Sequence, residues 1–141
     1  MKTKNQPMKV IVAGSRNVTD REKVFSAIGF GPFLIGELVS GCARGVDQLG
    51  EDWALVYKVP VQRFPADWQG YGKRAGPIRN ERMAHYADAL IAVWDGESRG
   101  TDYMIRCMVQ KGKPVYIYPV IGADLVEKEK LVGGKPWSQF K

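Results

Sequence analysis

Five short apolar runs along the chain alternate with stretches whose apolar side chains recur at helical spacing. Residues 9–13 (KVIVA) are apolar after Lys9 and mostly β-branched and stop at Gly14, the pattern of a strand buried on both faces. Thr19-Asp20-Arg21-Glu22 reads as a capping box, with the Thr19 hydroxyl at the cap and Glu22 three residues on. Behind it Val24, Phe25 and Ile28 line one helical face, and residues 29–32 end the helix. A second strand is predicted over 34–40. Val46, Leu49, Trp53, Val56 and Tyr57 then predict a helix over about 46–58, and 61–64 a short third strand. Residues 65–76 are punctuated by Gly and Pro and read as irregular. Pro77 suits the first turn of a helix running to about Tyr86, where its missing N–H has no intrahelical partner to lose. Residues 87–94 predict a fourth strand. A helix opening at Gly100 or Thr101 places Met104, Ile105, Met108 and Val109 inward and stops near Gly112. Residues 115–118 predict a fifth strand, and a short helix is expected near 124–131.

Strands and helices in alternation predict an α/β fold: a single Rossmann-like, doubly wound domain with a mainly parallel sheet of about five strands. Residues 1–8 read as a flexible lead-in, 9–118 as the Rossmann-like domain, and 119–141 as a C-terminal extension of it. The chain of 141 residues suits one domain. No apolar run approaches the length of a membrane span, and residues 1–8 carry no secretion signal, so no membrane partner is expected.

A doubly wound sheet binds ligands beyond the carboxyl ends of its strands, so the residues after each strand are where chemistry is expected. After the first come Gly14, Ser15 and Arg16: a tight turn, a hydroxyl and a guanidinium that can fork onto a phosphate. The dinucleotide fingerprint G-x-G-x-x-G is absent there. After the second strand, Ser40-Gly41-Cys42-Ala43-Arg44-Gly45-Val46-Asp47 joins a small-residue loop to a helix N-terminus, a cradle for anions. Asp47 in the first turn either caps that helix or holds a ligand hydroxyl. Cys42 reads as a small packed residue rather than a nucleophile. After the fourth strand, Asp95 to Asp102 repeats the theme with Ser98, Arg99, Gly100 and Thr101. One such loop also fits a plain turn, whereas three at one edge of one sheet point to a phosphorylated ligand.

Net charge is +6, from 21 basic and 15 acidic residues, which favours anionic partners without choosing among them. Lys73, Arg74, Arg79 and Arg82 concentrate that charge, with Glu81 the one acid among residues 70–83. Arg79 and Arg82 share a helix face and Asn80 adds an amide. Trp68 and Tyr71 can stack a base or pack in the core. Two cysteines make no disulfide framework, which indicates a reducing, cytoplasmic compartment. Together with a single His they also make a structural zinc site unexpected, and His85 has no assigned role.

Gly14-Ser15-Arg16, residues 40–47, Phe64-Pro65-Ala66-Asp67-Trp68, Gly76-Pro77-Ile78-Arg79-Asn80-Glu81-Arg82-Met83 and residues 98–101 together resemble the YspA-type, YpsA-related branch of the SLOG superfamily. The likeness runs from about residue 9 to 118 and implies a Rossmann-like fold in a bacterial or phage protein. Its superfamily binds nucleotides, nucleotide-derived signals or, in its DprA members, single-stranded DNA. The LOG enzymes of that superfamily hydrolyse the N-glycosidic bond of nucleoside 5′-monophosphates, using a Gly-Gly-x-Gly-Thr loop followed closely by Glu and an Arg from a neighbouring helix. Gly100-Thr101 matches the end of that loop, and Arg79 or Arg82 stands for the helix Arg. Ser98 and Arg99 replace the first two glycines, and no Glu follows Thr101.

These readings lead to a ligand-binding or sensing module for a nucleotide-type small molecule, with no other cofactor required. Gly14, Ser15, Arg16, Ser40, Gly41, Arg44, Gly45, Asp47, Arg79, Asn80, Ser98, Arg99, Gly100 and Thr101 are the expected site. The alternatives are a LOG-like hydrolase with Glu81, Asp102 or Asp47 as catalytic carboxylate (Asp95 a further candidate), a single-stranded nucleic-acid binder, and an assembly role. A homo-oligomer is compatible with all of them.

Overall fold

The computed structural model describes residues 6–121 and the strand residues 124–125, 131–132 and 135–136. Residues 1–5, most of the expected lead-in, lie outside the described residues. The first strand, β1, spans Met8–Gly14, so Met8 belongs to the sheet and not to the lead-in. There follow α1 (Arg21–Phe30), β2 (Ile35–Ser40), α2 (Val46–Tyr57), β3 (Val61–Arg63), α3 (Trp68–Tyr71), a 3-10 turn (Gly72–Arg74), α4 (Ala75–Tyr86), β4 (Ala89–Trp94), α5 (Arg99–Gln110) and β5 (Val115–Ile121). The α1 cap is Asp20, whose carboxylate accepts from the Glu22 N–H at 3.0 Å, one residue later than the expected Thr19. Residues 65–76 are more regular than their Gly and Pro content suggests, because Asp67 caps α3 through the Gly70 N–H.

The sheet runs in the order β3-β2-β1-β4-β5, all parallel, the doubly wound arrangement expected from the alternating pattern. A short antiparallel strand, β6 (Asp124–Leu125), extends its edge, and β7 (Leu131–Val132) pairs with β8 (Lys135–Pro136). The helix expected near 124–131 is therefore replaced by strand at both of its ends; residues 126–130 lie outside the described residues. Pairing with the exposed edge of β5 satisfies backbone groups that a parallel sheet would otherwise leave open.

Strand alternation divides the interior into two cores. Val10 and Val12 of β1, with Ile91 and Val93 of β4, meet Val24, Ala27 and Ile28 of α1 and Val46 and Ala54 of α2. Ile11, Ala13, Leu90 and Ala92 face the other way onto Met83 and Ala84 of α4 and Met104, Ile105 and Met108 of α5. Each fully buried Val, Leu, Ile or Met side chain among them contributes about 1.5–3 kcal/mol. With both faces of β1 and β4 covered, these strands carry polar function only at their ends. Among the described residues no helix is long and apolar enough to cross a membrane.

Candidate functional site

Chain order reverses between β1 and β4, and beyond their carboxyl ends lies an open cleft of about 530 Å³. Its walls are Ala13 and Gly14 at the end of β1 with Arg16 beyond it, Ala43 and Asp47 at α2, Arg79 and Asn80 on α4, and Ser98, Gly100 and Thr101 at α5, over a floor of Met83 and Met104. Three strand-end loops and the basic helix thus meet in one place. Arg16 and Ser98 also belong to an adjoining depression with Asn17, Arg44, Asp95 and Glu97, so Arg44 stands beside the cleft.

Backbone geometry brings the first two loops together. Gly14 passes so close to β4 that a Cβ would lie 2.0 Å from the Val93 carbonyl oxygen. Gly45 has φ +78°, and a Cβ there would lie 2.5 Å from the Arg16 carbonyl oxygen; both features demand glycine. The Ser15 carbonyl accepts from Val46 N–H at 3.4 Å, which ties the α2 N-terminus to the β1 loop.

Several expected ligand-binding residues hold the loops in place. Ser15 is buried and its hydroxyl accepts from Asp95 N–H at 3.3 Å. The Asp95 carboxylate accepts from the N–H groups of Glu97 and Ser98, both at 2.9 Å. Partial burial pushes the Asp95 carboxyl up, but those donors outweigh it and hold it below its ordinary value. Ser40 lies behind its loop, accepting from Cys42 N–H at 3.1 Å and donating to Glu51 at 2.6 Å, and Glu51 also pairs with Arg63. Asn80 Nδ2 donates to the Gly100 carbonyl at 3.2 Å, joining α4 to the α5 loop, where the Ser98 and Thr101 hydroxyls lie 3.1 Å apart.

Arg16, Asp47 and Arg79 are the charged groups that line the cleft. Asp47 is only 5% exposed and accepts from Ala43 N–H at 3.3 Å. Burial pushes its carboxyl up to about 6, against the opposing pull of the Ala43 N–H and the Arg79 guanidinium. Arg79 donates through Nη1 to the Gly41 carbonyl and through Nε to Asn80 Oδ1 at 2.8 Å. Burial lowers its guanidinium from the ordinary value while Asp47 acts the other way.

The other carboxylates lie elsewhere. Glu81 is exposed and accepts from Cys107 Sγ at 2.8 Å, and Asp102 pairs with Arg106 at 3.0 Å one helical turn on. Neither lines the cleft. Arg99 is exposed at the start of α5 outside the lining, and Arg82 turns towards the Tyr71 ring, 6.0 Å from its centroid. Sequence reading missed the Glu51 bridge, although Glu51 follows Asp47 by four residues on one face of α2, a spacing that could have revealed it. Among the described residues no group of three or more His, Cys, Asp or Glu is placed to hold a metal ion.

Known proteins resemble this chain in sequence and in fold. The chain is 33% identical over 117 residues to the Gene 61 protein of Mycobacterium phage D29, covering 76% of this chain and 93% of that relative. Its fold is that of DNA processing protein A (DprA) from Streptococcus pneumoniae, with a TM-score of 0.68 at 19% identity over 86% of this chain. The chain spans about half of that DprA, 53% of its length. Residues 8–71, which carry β1 and the Asp47 loop, match the family described as YAcAr: YspA, cpYpsA-related SLOG family. By this match and the phage relative, the chain belongs to the YspA, cpYpsA-related SLOG family.

Proposed function

We infer that the cleft binds a nucleotide-type, phosphorylated small molecule and that the protein acts as a binding or sensing module. The observation that carries this reading is the convergence of Arg16, Asp47 and Arg79 with the N-terminal turns of α2 and α5 at the β1/β4 crossing. Helix N-termini and guanidinium groups favour phosphate oxygens. The Asp47 carboxylate is an acceptor suited to a ribose hydroxyl, and Met83 and Met104 offer an apolar floor. A thermal-shift panel of nucleoside mono- and diphosphates tests the reading. A ligand at about 100 times its dissociation constant stabilises the fold by roughly 2.7 kcal/mol, and no shift with any nucleotide would refute it.

One feature of the cleft favours a second reading, N-glycosidic hydrolysis of a nucleoside 5′-monophosphate. Breaking the base–ribose bond builds positive charge on the sugar, which a nearby carboxylate stabilises while it orients the attacking water. Asp47 is the expected catalytic carboxylate that lines the cleft, and its carboxyl titrates near 6, in the range of a working base. Incubation with nucleoside 5′-monophosphates and chromatography for free base separates the two readings: a sensing module releases none.

A further inference from the structure

Arg79 has a second side. Between β3 and α4 lies a separate groove of about 560 Å³, and Arg79 forms the wall shared with the cleft. Arg63 and Arg82 join Arg79 in it, against the single carboxylate of Asp67, one oxygen of which already accepts from Gly70 N–H. The rest of the lining is apolar, with Phe64, Tyr71 and Ile78. Glu51 offsets Arg63, whereas the Arg82 guanidinium lies over the Tyr71 ring. Tyr71 is 41% exposed, so the ring is open to solvent beside Arg82. Guanidinium groups around an apolar, aromatic-walled groove match a planar base joined to a phosphate.

We propose that this groove is a second subsite of the same ligand, taking a second nucleotide unit, so that the full ligand is a dinucleotide bridging Arg79. The proposal rests on the reading of the cleft as a nucleotide site. A mononucleotide fills the cleft alone, whereas a dinucleotide adds base stacking on Tyr71 and phosphate contact with Arg82.

Calorimetric titration of the full chain tests it with three kinds of probe. These are the nucleoside 5′-monophosphate giving the largest melting shift among AMP, GMP, CMP and UMP, the two dinucleotides of that nucleoside (5′-phosphorylated and 3′–5′-linked, or pyrophosphate-linked), and a twelve-nucleotide DNA strand. At least one dinucleotide should bind about tenfold more tightly than the mononucleotide, the effect of one stacked base. In Tyr71→Ala/Arg82→Ala, and more weakly in Arg82→Gln, that advantage should vanish while mononucleotide affinity and the unliganded melting temperature stay unchanged. Equal affinities, or a double variant that weakens mononucleotide and dinucleotide alike, would overturn the second subsite and leave the cleft reading standing. A DNA strand that binds more tightly than either dinucleotide would also overturn it, marking the groove as a strand track. Failure of every probe would remove both readings together.

Discussion

Asp47 and Arg79 converge on the backbone of Gly41: a Cβ built there would lie 2.9 Å from both Asp47 Oδ2 and Arg79 Nη1. The Gly41 carbonyl is also the acceptor for Arg79 Nη1. The residue therefore lets a carboxylate from α2 and a guanidinium from α4 meet over one peptide. Gly41→Ala should force one of them aside. Both atoms end side chains that can shift, so we expect a loss of at most about 1 kcal/mol in stability, at the low end of overpacking elsewhere, and a reduced nucleotide-induced melting shift. Thermal unfolding with and without the nucleotide panel measures both, and an alanine variant that melts and responds like the parent would refute the convergence.

Asp47 makes stability depend on pH in a defined direction. Its carboxyl rises from 3.8 to about 6 on folding, so the native state holds the proton more tightly than the unfolded chain. The stabilising effect of protonation is complete below about pH 4 and is lost as pH rises through about 6. At neutral pH the ionised group costs about 3 kcal/mol. Asp47→Asn keeps an acceptor for Ala43 N–H and removes the charge, so it should raise stability at pH 7 and have little effect at pH 3.5. Urea unfolding at the two pH values gives the comparison. Equal effects at both would show that burial does not govern this group.

How far the sequence reveals such a site depends on the range of the interaction. The unbroken apolar run through Val10, Ile11 and Val12 identified a strand buried on both faces, because composition is a local property, and the strand ends followed from the parallel topology. The pairings that bring the helices to the cleft did not. Arg79 meets Gly41 across 38 residues, and Asn80 reaches Gly100 across 20. Pairings of this kind follow from the packing of α4 and α5, not from any motif. For the same reason Glu81 and Asp102 looked equivalent to Asp47 in sequence, yet their positions on α4 and α5 turn them towards Cys107 and Arg106. The strand at 124–125 was hidden differently: its reason is the open edge of β5, a property of the sheet.

That placement of carboxylates gives a direct test of hydrolysis. If free base is released from a nucleoside monophosphate, Asp47→Asn should lower the rate by at least about 100-fold, the lower range for a positioned acid or base. Glu81→Gln and Asp102→Asn, whose partners lie outside the cleft, should stay within about twofold, a difference of roughly 0.4 kcal/mol in the barrier. Initial rates for the three variants decide the matter, and activity that survives Asp47→Asn would exclude Asp47 as the catalytic group.

Glu51 should hold the Ser40–Cys42 side of the site from behind. Its two oxygens serve different partners, Ser40 Oγ at 2.6 Å and Arg63 Nε at 2.8 Å, and Ser40 in turn receives the Cys42 N–H. Ser40 is fully buried, whereas the Arg63 side chain is 59% exposed. A buried hydroxyl left without its acceptor costs about 1–3 kcal/mol, while an ion pair this exposed contributes at most about 1 kcal/mol. Glu51→Ala should therefore destabilise the fold clearly more than Arg63→Ala. Glu51→Gln, which retains an acceptor for Ser40, should fall between them. Chemical denaturation at low and high salt separates the contributions: the Arg63→Ala loss should shrink with salt as screening grows, and the Glu51→Ala loss should persist. If both losses vanish together in salt, the ion pair and not the Ser40 bond fixes the loop.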